Sequence, residues 1–185
     1  KQVTWLPEST TRGVSLKLSL QAGKLYYNLV NKTGSDSLHV LMYMYQKVFY
    51  KTNLAVPETV PFTGIIPIHT LPSGTMQLTV FDANWQPVAE RVAFINNDNH
   101  IINAGLFTTE ISLLKRGKNS IEILVADTVP ANMSLSISDA EINNAVSENT
   151  IVSDFLLKGD LKGYIHNPAY YFTGHGDAAL NAKLD

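Results

Sequence analysis

Acidic side chains are the first candidates for chemistry in this sequence, because two carboxylates that face one cleft can hydrolyse a glycosidic bond. Four of them lie in or beside segments where apolar and polar residues alternate: Asp82, Glu90, Asp127 and Asp139. Asp82 and Asp139 each end such a segment, a position where turns commonly place an acid. The sequence has no Gly-x-Ser-x-Gly, phosphate-binding glycine or His-Glu-x-x-His motif. We therefore expect no enzymatic activity and assign no catalytic residue.

Histidines are the second candidates, since imidazole is a common metal ligand. The nearest set to a metal site is His166, His175 and Asp177, and the remaining histidines are His39, His69 and His100. No two histidines stand at the spacing of a zinc motif, so we favour solvated loop residues over ligands. The sequence has no cysteine, which removes disulfides, thiolate ligands, cysteine nucleophiles and internal thioesters. We predict neither a metal nor another cofactor.

Aromatic side chains could bind a ligand instead. A platform for sugar rings could be built from Trp5, Trp85, Tyr43, Tyr45 and Tyr50. Trp85 lies in the predicted turn 82–87, where an exposed ring is open to ligands. For the tyrosines we favour packing in a core or an interface. A further aromatic group, Tyr170, Tyr171 and Phe172, is expected to pack on the second domain or on whatever follows it.

Glu90 and Arg91 are adjacent in sequence. Neighbours on a strand point to opposite faces, so the two cannot pair with each other and each needs a cross-strand or interdomain partner. We favour a structural ion pair near a domain junction over a binding role. The residues that we assign to a possible ligand or interface site are Trp85, Glu90, Arg91, Tyr170 and Tyr171.

Composition narrows the class of protein. The chain has 185 residues, 45% of them hydrophobic and 16% charged, which favours a folded, β-rich protein with room for one large or two small domains. The net charge is −2 and the largest basic cluster is Lys115-Arg116-Gly117-Lys118, so nucleic acid is not expected as a partner. The sequence has neither an apolar run of ~18 residues nor a signal-peptide pattern. We expect a soluble chain that is trimmed at its start.

Period-two alternation predicts most of the strands. It occurs in residues 14–20, 25–29 and 76–80, and residues 88–95 complete a hairpin behind the 82–87 turn. Residues 38–50 are apolar or aromatic at nearly every position, which indicates one long strand covered on both faces or crossing an edge. The polar residues 96–99 then mark a domain boundary.

Beyond that boundary, strands are predicted over residues 106–114, 121–125 and 133–138. A helical stripe of Ile151, Val152, Phe155 and Leu156 follows, with Asn149 as its cap and Gly159 as its stop. The expected fold is all-β: tandem immunoglobulin-like sandwiches at 1–96 and, smaller, at 97–147. Residues 148–185 are expected to form a short helix and an irregular tail, packed on the second domain or leading to a following one.

Three stretches together resemble macroglobulin-like domains, the immunoglobulin-like repeats of the alpha-2-macroglobulin superfamily. Residues 71–82 (LPSGTMQLTVFD) and 87–94 (PVAERVAF) resemble the closing hairpin of one such domain, and residues 135–139 (LSISD) resemble the end of the next. Residues 155–172 (FLLKGDLKGYIHNPAYYF) resemble the segment that precedes a TonB-dependent-receptor-type plug region in large Gram-negative envelope proteins.

The resemblance implies a two-domain segment of a longer periplasmic or outer-membrane-associated protein. Its function would be that of a non-catalytic scaffold that binds protein partners or neighbouring domains within a TonB-linked uptake system, with membrane association only through the parent protein. The missing cysteine excludes a covalent, thioester-based protease trap in this segment. From the aromatic residues themselves, a carbohydrate-binding module remains the alternative, with glycan as the partner.

Overall fold

The computed structural model describes residues 8, 10–126, 130, 132–137, 149–173 and 180. The chain divides into two compact units, Lys1–Asn97 with Ser147–Asp185 and, separately, Asp98–Val146. The regular structure is mainly β-strand, which confirms the predicted all-β, sandwich-type class with one short helix. In the described part of the chain, no helix is long and apolar enough to cross a membrane.

The described residues of the first unit form two antiparallel sheets. Their strands are β1 (Gly13–Gln21), β2 (Lys24–Lys32), β3 (Ser37–Met44), β4 (Lys47–Ala55), β5 (Phe62–Pro67), β6 (Gly74–Phe81) and β7 (Pro87–Ile95). One sheet has the order β1-β2-β5 and the other has the order β4-β3-β6-β7. In a constant-type immunoglobulin domain the fourth strand joins the sheet of the first, second and fifth. Here β4 pairs with β3 instead.

Alternating apolar side chains from both sheets form one core. Leu25, Tyr27 and Leu29 of β2 are fully buried, as are Leu38 and Val40 of β3. The residues between them on each strand are more exposed, which is the pattern that period-two alternation predicts. The remaining core members are Leu16, Met42, Met44, Val56, Ile66, Ile68, Leu71, Met76, Leu78, Val80 and Ile95.

The prediction of one long strand over residues 38–50 is wrong. Tyr45 and Gln46 form a two-residue turn between β3 and β4, with φ of 49° and 60°. A turn with two positive φ angles is usually built from Asn and Gly, so Tyr-Gln gives no sequence signal for it. The hydroxyl of Tyr45 donates a hydrogen bond to the carbonyl of Ser73, and its ring occupies the space where Gly74 lacks a Cβ.

The described residues of the second unit form one antiparallel hairpin, β8 (Ala104–Glu110) and β9 (Ser120–Val125). The strand predicted to reach residue 114 thus ends at Glu110. Residues 132–137, predicted as part of a strand, are described without strand structure. Their apolar members, Met133, Leu135 and Ile137, are exposed and so lack the packing that would hold a strand.

Residues 149–173 are grouped with the first unit, whereas one of our expectations placed them with the second domain. The hydroxyl of Thr75 donates to the carbonyls of Leu156 and Leu157, at 3.1 and 3.3 Å. The rings of Phe94 and Phe172 meet edge to face with centroids 5.9 Å apart. These contacts hold the segment against β6 and β7.

The helix itself differs from its predicted form. Its cap is Thr150, which exchanges hydrogen bonds with Ser153 in a capping box, and not Asn149. One α-helical turn, α1 (Ile151–Ser153), passes into a π-helical turn (Asp154–Lys158), and a 3-10 turn (Pro168–Phe172) follows. The wider π turn changes which side chains face the sheet, so Leu157 is buried while Phe155, on the predicted apolar stripe, is exposed.

Candidate functional site

The turn between β6 and β7 holds Trp85 in a conformation that favours glycine. The backbone N–H of Trp85 donates to the carbonyl of Asp82 at 3.0 Å, and the N–H of Asp82 donates to the carbonyl of Gln86 at 2.9 Å. This pattern is a turn followed by a bulge residue, and Trp85 takes the bulge position with φ of 61°. A side chain in the left-handed region costs roughly 1–2 kcal/mol.

The carboxylate of Asp82 stabilises this turn. Its Oδ1 accepts the backbone N–H groups of Asn84 and Gln86 at 2.8 and 2.9 Å. Asp82 therefore has the turn role that we favoured for it over catalysis. The same two hydrogen bonds offset part of the strain at Trp85 by fixing the residues on both sides of it.

Three residues on neighbouring strands contact the indole of Trp85, and a fourth, Asn53, binds one of the three. The imidazole of His39 lies parallel to it, with ring centroids 4.1 Å apart and 2° between the planes. Phe81 is tilted against it at 5.7 Å, and Nζ of Lys51 lies over the ring at 5.0 Å from the centroid. His39 Nδ1 donates to Oδ1 of Asn53 at 2.7 Å, since an amide oxygen can only accept. We call Trp85, His39, Phe81, Lys51 and Asn53 the Trp85 cluster.

Trp85 keeps 44% of its surface exposed within this cluster. The stacked imidazole shields one face of the indole, so the exposed share lies on its edges and on the side away from His39. Sequence reasoning found Trp85 but missed His39, Lys51 and Asn53. Only the strand register brings these residues together. In the four-stranded sheet, His39 is paired with Phe81 on β6 and with Asn53 on β4.

The tyrosines proposed for the same platform lie elsewhere. Tyr50 contacts Tyr27 inside the sandwich, with the two hydroxyl oxygens 3.1 Å apart. Tyr45 packs over Gly74 at the turn, and Tyr43 lies on the outer side of β3. The structure therefore brings only Trp85 of this set into the cluster; Trp5 lies outside the described residues.

A small cavity of about 80 Å³ adjoins Tyr43, between β6 and the C-terminal segment, and its other lining residues are Gln46, Thr75, Gln77, Val92 and Asp160. Burial raises the pKa of Tyr43, and the charges of Glu90 and Asp160 raise it further, against a lowering by the Thr79 hydrogen bond. Burial and then Asp160 likewise raise the pKa of Tyr45. The hydroxyl of Tyr45 is the one that donates to the carbonyl of Ser73.

Glu90 and Arg91 do point to opposite sides of β7. Thr79 on the paired position of β6 donates to Glu90 Oε2 at 3.0 Å, and Arg91 donates to the carbonyl of Glu90 at 3.0 Å. Within the described residues neither side chain is in an ion pair, so the ion pair we favoured is not found there. Arg91 instead lines a groove of about 370 Å³ between β7 and residues 16–20 of β1.

The remaining predicted residues do not converge on a site in the described structure. Tyr170 and Tyr171 contact each other edge to face at 5.6 Å, and His166 lies 3.4 Å from the hydroxyl of Tyr164. Asp127, Asp139, His175 and Asp177 lie outside the described residues. Where side chains are described, no three His, Asp or Glu residues are grouped as metal ligands would be.

The hairpin of the second unit exposes apolar side chains on both of its faces. Leu106 lies opposite Ile123 on one face, and Phe107 and Leu124 lie on the other. Leu106, Phe107 and Leu124 are 60%, 52% and 53% exposed. No described residue of this unit is fully buried. An isolated two-stranded hairpin is marginal in water, so these side chains are available for packing against further protein.

The fold and the surface identify the class of the protein as all-β and sandwich-type, and they do not identify a family within that class. The chain matches no known family model, and no curated protein or solved structure is significantly similar to it. The resemblance to macroglobulin-like domains accordingly stays a prediction.

Proposed function

We propose that this chain is a non-catalytic scaffold and interaction segment of a cell-envelope protein. The observation that carries the proposal is the apolar hairpin of the second unit, which exposes Leu106 on one face and Phe107 and Leu124 on the other, side chains suited to protein contact. Its occupant is a protein surface, either of a partner or of a neighbouring domain in the same polypeptide.

The distribution of apolar residues in the hairpin supports this role. A strand with one face in water alternates apolar and polar side chains, whereas a strand covered on both faces is apolar throughout. Residues 121–125 of β9 read Ile-Glu-Ile-Leu-Val, so both faces carry apolar groups. Burying a fully exposed apolar side chain contributes about 1.5–3 kcal/mol, and each of Leu106, Phe107 and Leu124, being little more than half exposed, would contribute roughly half of that to a docked partner.

The first unit has the features expected of a rigid scaffold domain. Its core joins both sheets through interdigitated side chains, and Asn31 ties loops to it by donating to the carbonyls of Ser35 and Val56 at 2.7 and 2.8 Å. A buried polar side chain with both donors used holds its loop in one conformation. Such a unit can hold attached parts at a fixed spacing.

The periplasmic or outer-membrane-associated location is part of the proposal. Its support is the absence of cysteine together with the resemblance of residues 71–82, 87–94, 135–139 and 155–172 to macroglobulin-like envelope proteins. The coding sequence on either side tests it: a signal peptide upstream and a plug-and-barrel pattern downstream would support a TonB-linked uptake system. A cytosolic enzyme domain on either side would contradict it.

The interaction role is tested by photo-crosslinking in the native cell. A photoreactive phenylalanine analogue replaces Phe107 in one version of the protein and Tyr164 in another; Tyr164 is also exposed but lies in the C-terminal segment. We expect a discrete adduct at position 107, mapped by mass spectrometry to a protein or domain of the envelope. Equal, diffuse labelling at both positions, or adducts with cytosolic proteins alone, would refute the proposal.

A further inference from the structure

The Trp85 cluster combines three features that a protein-contact role of the hairpin does not require. The first is the strained position of Trp85, with φ of 61° in a turn held by the Asp82 carboxylate. A bulky residue keeps a backbone conformation that favours glycine only when the surrounding structure stabilises that conformation. Such strained positions cluster at ligand-binding sites. This turn places the indole at one end of the four-stranded sheet, partly open to solvent.

The second feature is the support behind the ring. His39 stacks on the indole at 4.1 Å, and the hydrogen bond to Asn53 fixes the orientation of the imidazole. A ring that is held from behind offers its open side at little further cost in side-chain entropy. The apolar C–H face of a pyranose is a natural partner for such a side, because aromatic rings pack well on flat, weakly polarised groups.

The third feature is the cation beside the indole. Nζ of Lys51 lies 5.0 Å from the centre of the indole and forms no ion pair with a described residue. The carboxylate of Asp82, the acid of the neighbouring turn, accepts two backbone N–H groups. An anionic group on a ligand that packs on Trp85 would therefore meet the ammonium of Lys51 directly.

We propose that the Trp85 cluster binds an acidic saccharide. The pyranose ring packs on the exposed side of Trp85, and its carboxylate pairs with Lys51. A neutral sugar would leave Lys51 unused, and a small inorganic anion would leave the indole unused. This inference goes beyond the scaffold function and does not depend on it.

Isothermal titration calorimetry with an oligomer of galacturonic acid tests the proposal, with the fully methyl-esterified oligomer as a neutral comparator. We expect the acid form to bind more tightly than the ester. Trp85→Ala should weaken binding of the acid form about tenfold or more, which corresponds to ~1.4 kcal/mol. Lys51→Gln should weaken it by roughly fivefold, the upper range of an exposed ion pair, and should abolish the preference for acid over ester.

Lys47→Gln is the matched control, because Nζ of Lys47 lies over the ring of Phe49 at 5.5 Å on the same strand but away from Trp85. It should leave the affinity unchanged. Quenching or enhancement of fluorescence in a Trp5→Phe variant, where Trp85 is the remaining tryptophan, should follow the same binding curve. The proposal is overturned by no saturable binding of the acid form, by equal binding of acid and ester, or by equal effects of the two lysine variants. Should Trp85→Ala fail to fold, the lysine pair and the ester comparison still decide.

Discussion

Gly64 and Tyr27 face each other across β5 and β2, and replacing Gly64 by Ala should destabilise the sandwich. A Cβ at position 64 would fall on the ring of Tyr27, inside the 3.0 Å that real Cβ contacts keep. The ring has no room to withdraw, because Tyr27 is fully buried and packs against Phe62 and Tyr50 with centroids 6.1 and 6.3 Å away. The glycine is thus required by packing.

The size of the effect follows from three contributions. Overpacking of a filled core costs about 1–3 kcal/mol. Displacing the Tyr27 hydroxyl from Tyr50 costs ~1 kcal/mol more. Glycine-to-alanine replacement stabilises by about 0.4–1 kcal/mol through the unfolded chain. The net loss is roughly 2 kcal/mol, which lowers the midpoint of urea unfolding by about 1 M if the slope is near 2 kcal/mol/M.

A double-mutant cycle isolates the proposed cause. In a Tyr27→Leu background the ring is gone, so Gly64→Ala should become stabilising by about 0.4–1 kcal/mol. Urea unfolding followed by circular dichroism measures all four proteins. If Gly64→Ala has the same effect in both backgrounds, within ~0.5 kcal/mol, the clash with Tyr27 is not the cause and the reasoning is refuted.

Three further predictions concern the turn, the C-terminal segment and pH. Trp85→Gly should be more stable than Trp85→Ala by roughly 1–2 kcal/mol in urea unfolding, because only glycine relieves the positive φ; the opposite order would contradict the strain. Thr75→Val should cost about 1–2 kcal/mol and speed hydrogen exchange in residues 151–158, since it removes the donor to two helix carbonyls; unchanged exchange would count against this link. Burial, and then the hydrogen bond with Tyr50, raises the pKa of Tyr27 above its ordinary 10.0, so the stability from this group is full below that pH and is lost as pH rises further. Tyr27→Phe should therefore show a smaller fall in urea midpoint between about pH 9 and 11 than the parent protein, and equal falls would argue against the shift.

Local patterns predicted the strands whose packing repeats every second residue. Leu25, Tyr27 and Leu29 are buried as their alternation requires, and the 82–87 turn falls where Asp and Pro place it. The split of residues 38–50 could not be predicted, because the turn depends on two positive φ angles in Tyr45 and Gln46 that their side chains disfavour. Contacts outside the turn, such as the hydrogen bond from Tyr45 to Ser73, have to stabilise it.

Of the residues in the candidate site, only Trp85 could be predicted from the sequence. Trp85 is a rare residue type in a turn, and that alone marks it. Lys51 and His39 lie on two strands whose separation was hidden by the undetected turn, so their meeting at the indole follows from a register that the sequence does not state. Lys51 and His39 come to contact the same indole only because their strands are paired in the sheet.

The position of the C-terminal segment depends on polar residues that a sequence pattern assigns to water. Thr75 and Thr79 lie on the outer side of β6, where alternation with Met76 and Leu78 predicts solvent, yet both are buried. The last carbonyls of a short helix have no partner within it, and a threonine on a strand can supply one. Thr75 does so for Leu156 and Leu157, across 81 and 82 residues of chain. A threonine hydroxyl can form a hydrogen bond with water or with a carbonyl. The outer side of β6 can therefore pack against the helix although its sequence has no apolar pattern that predicts a buried face.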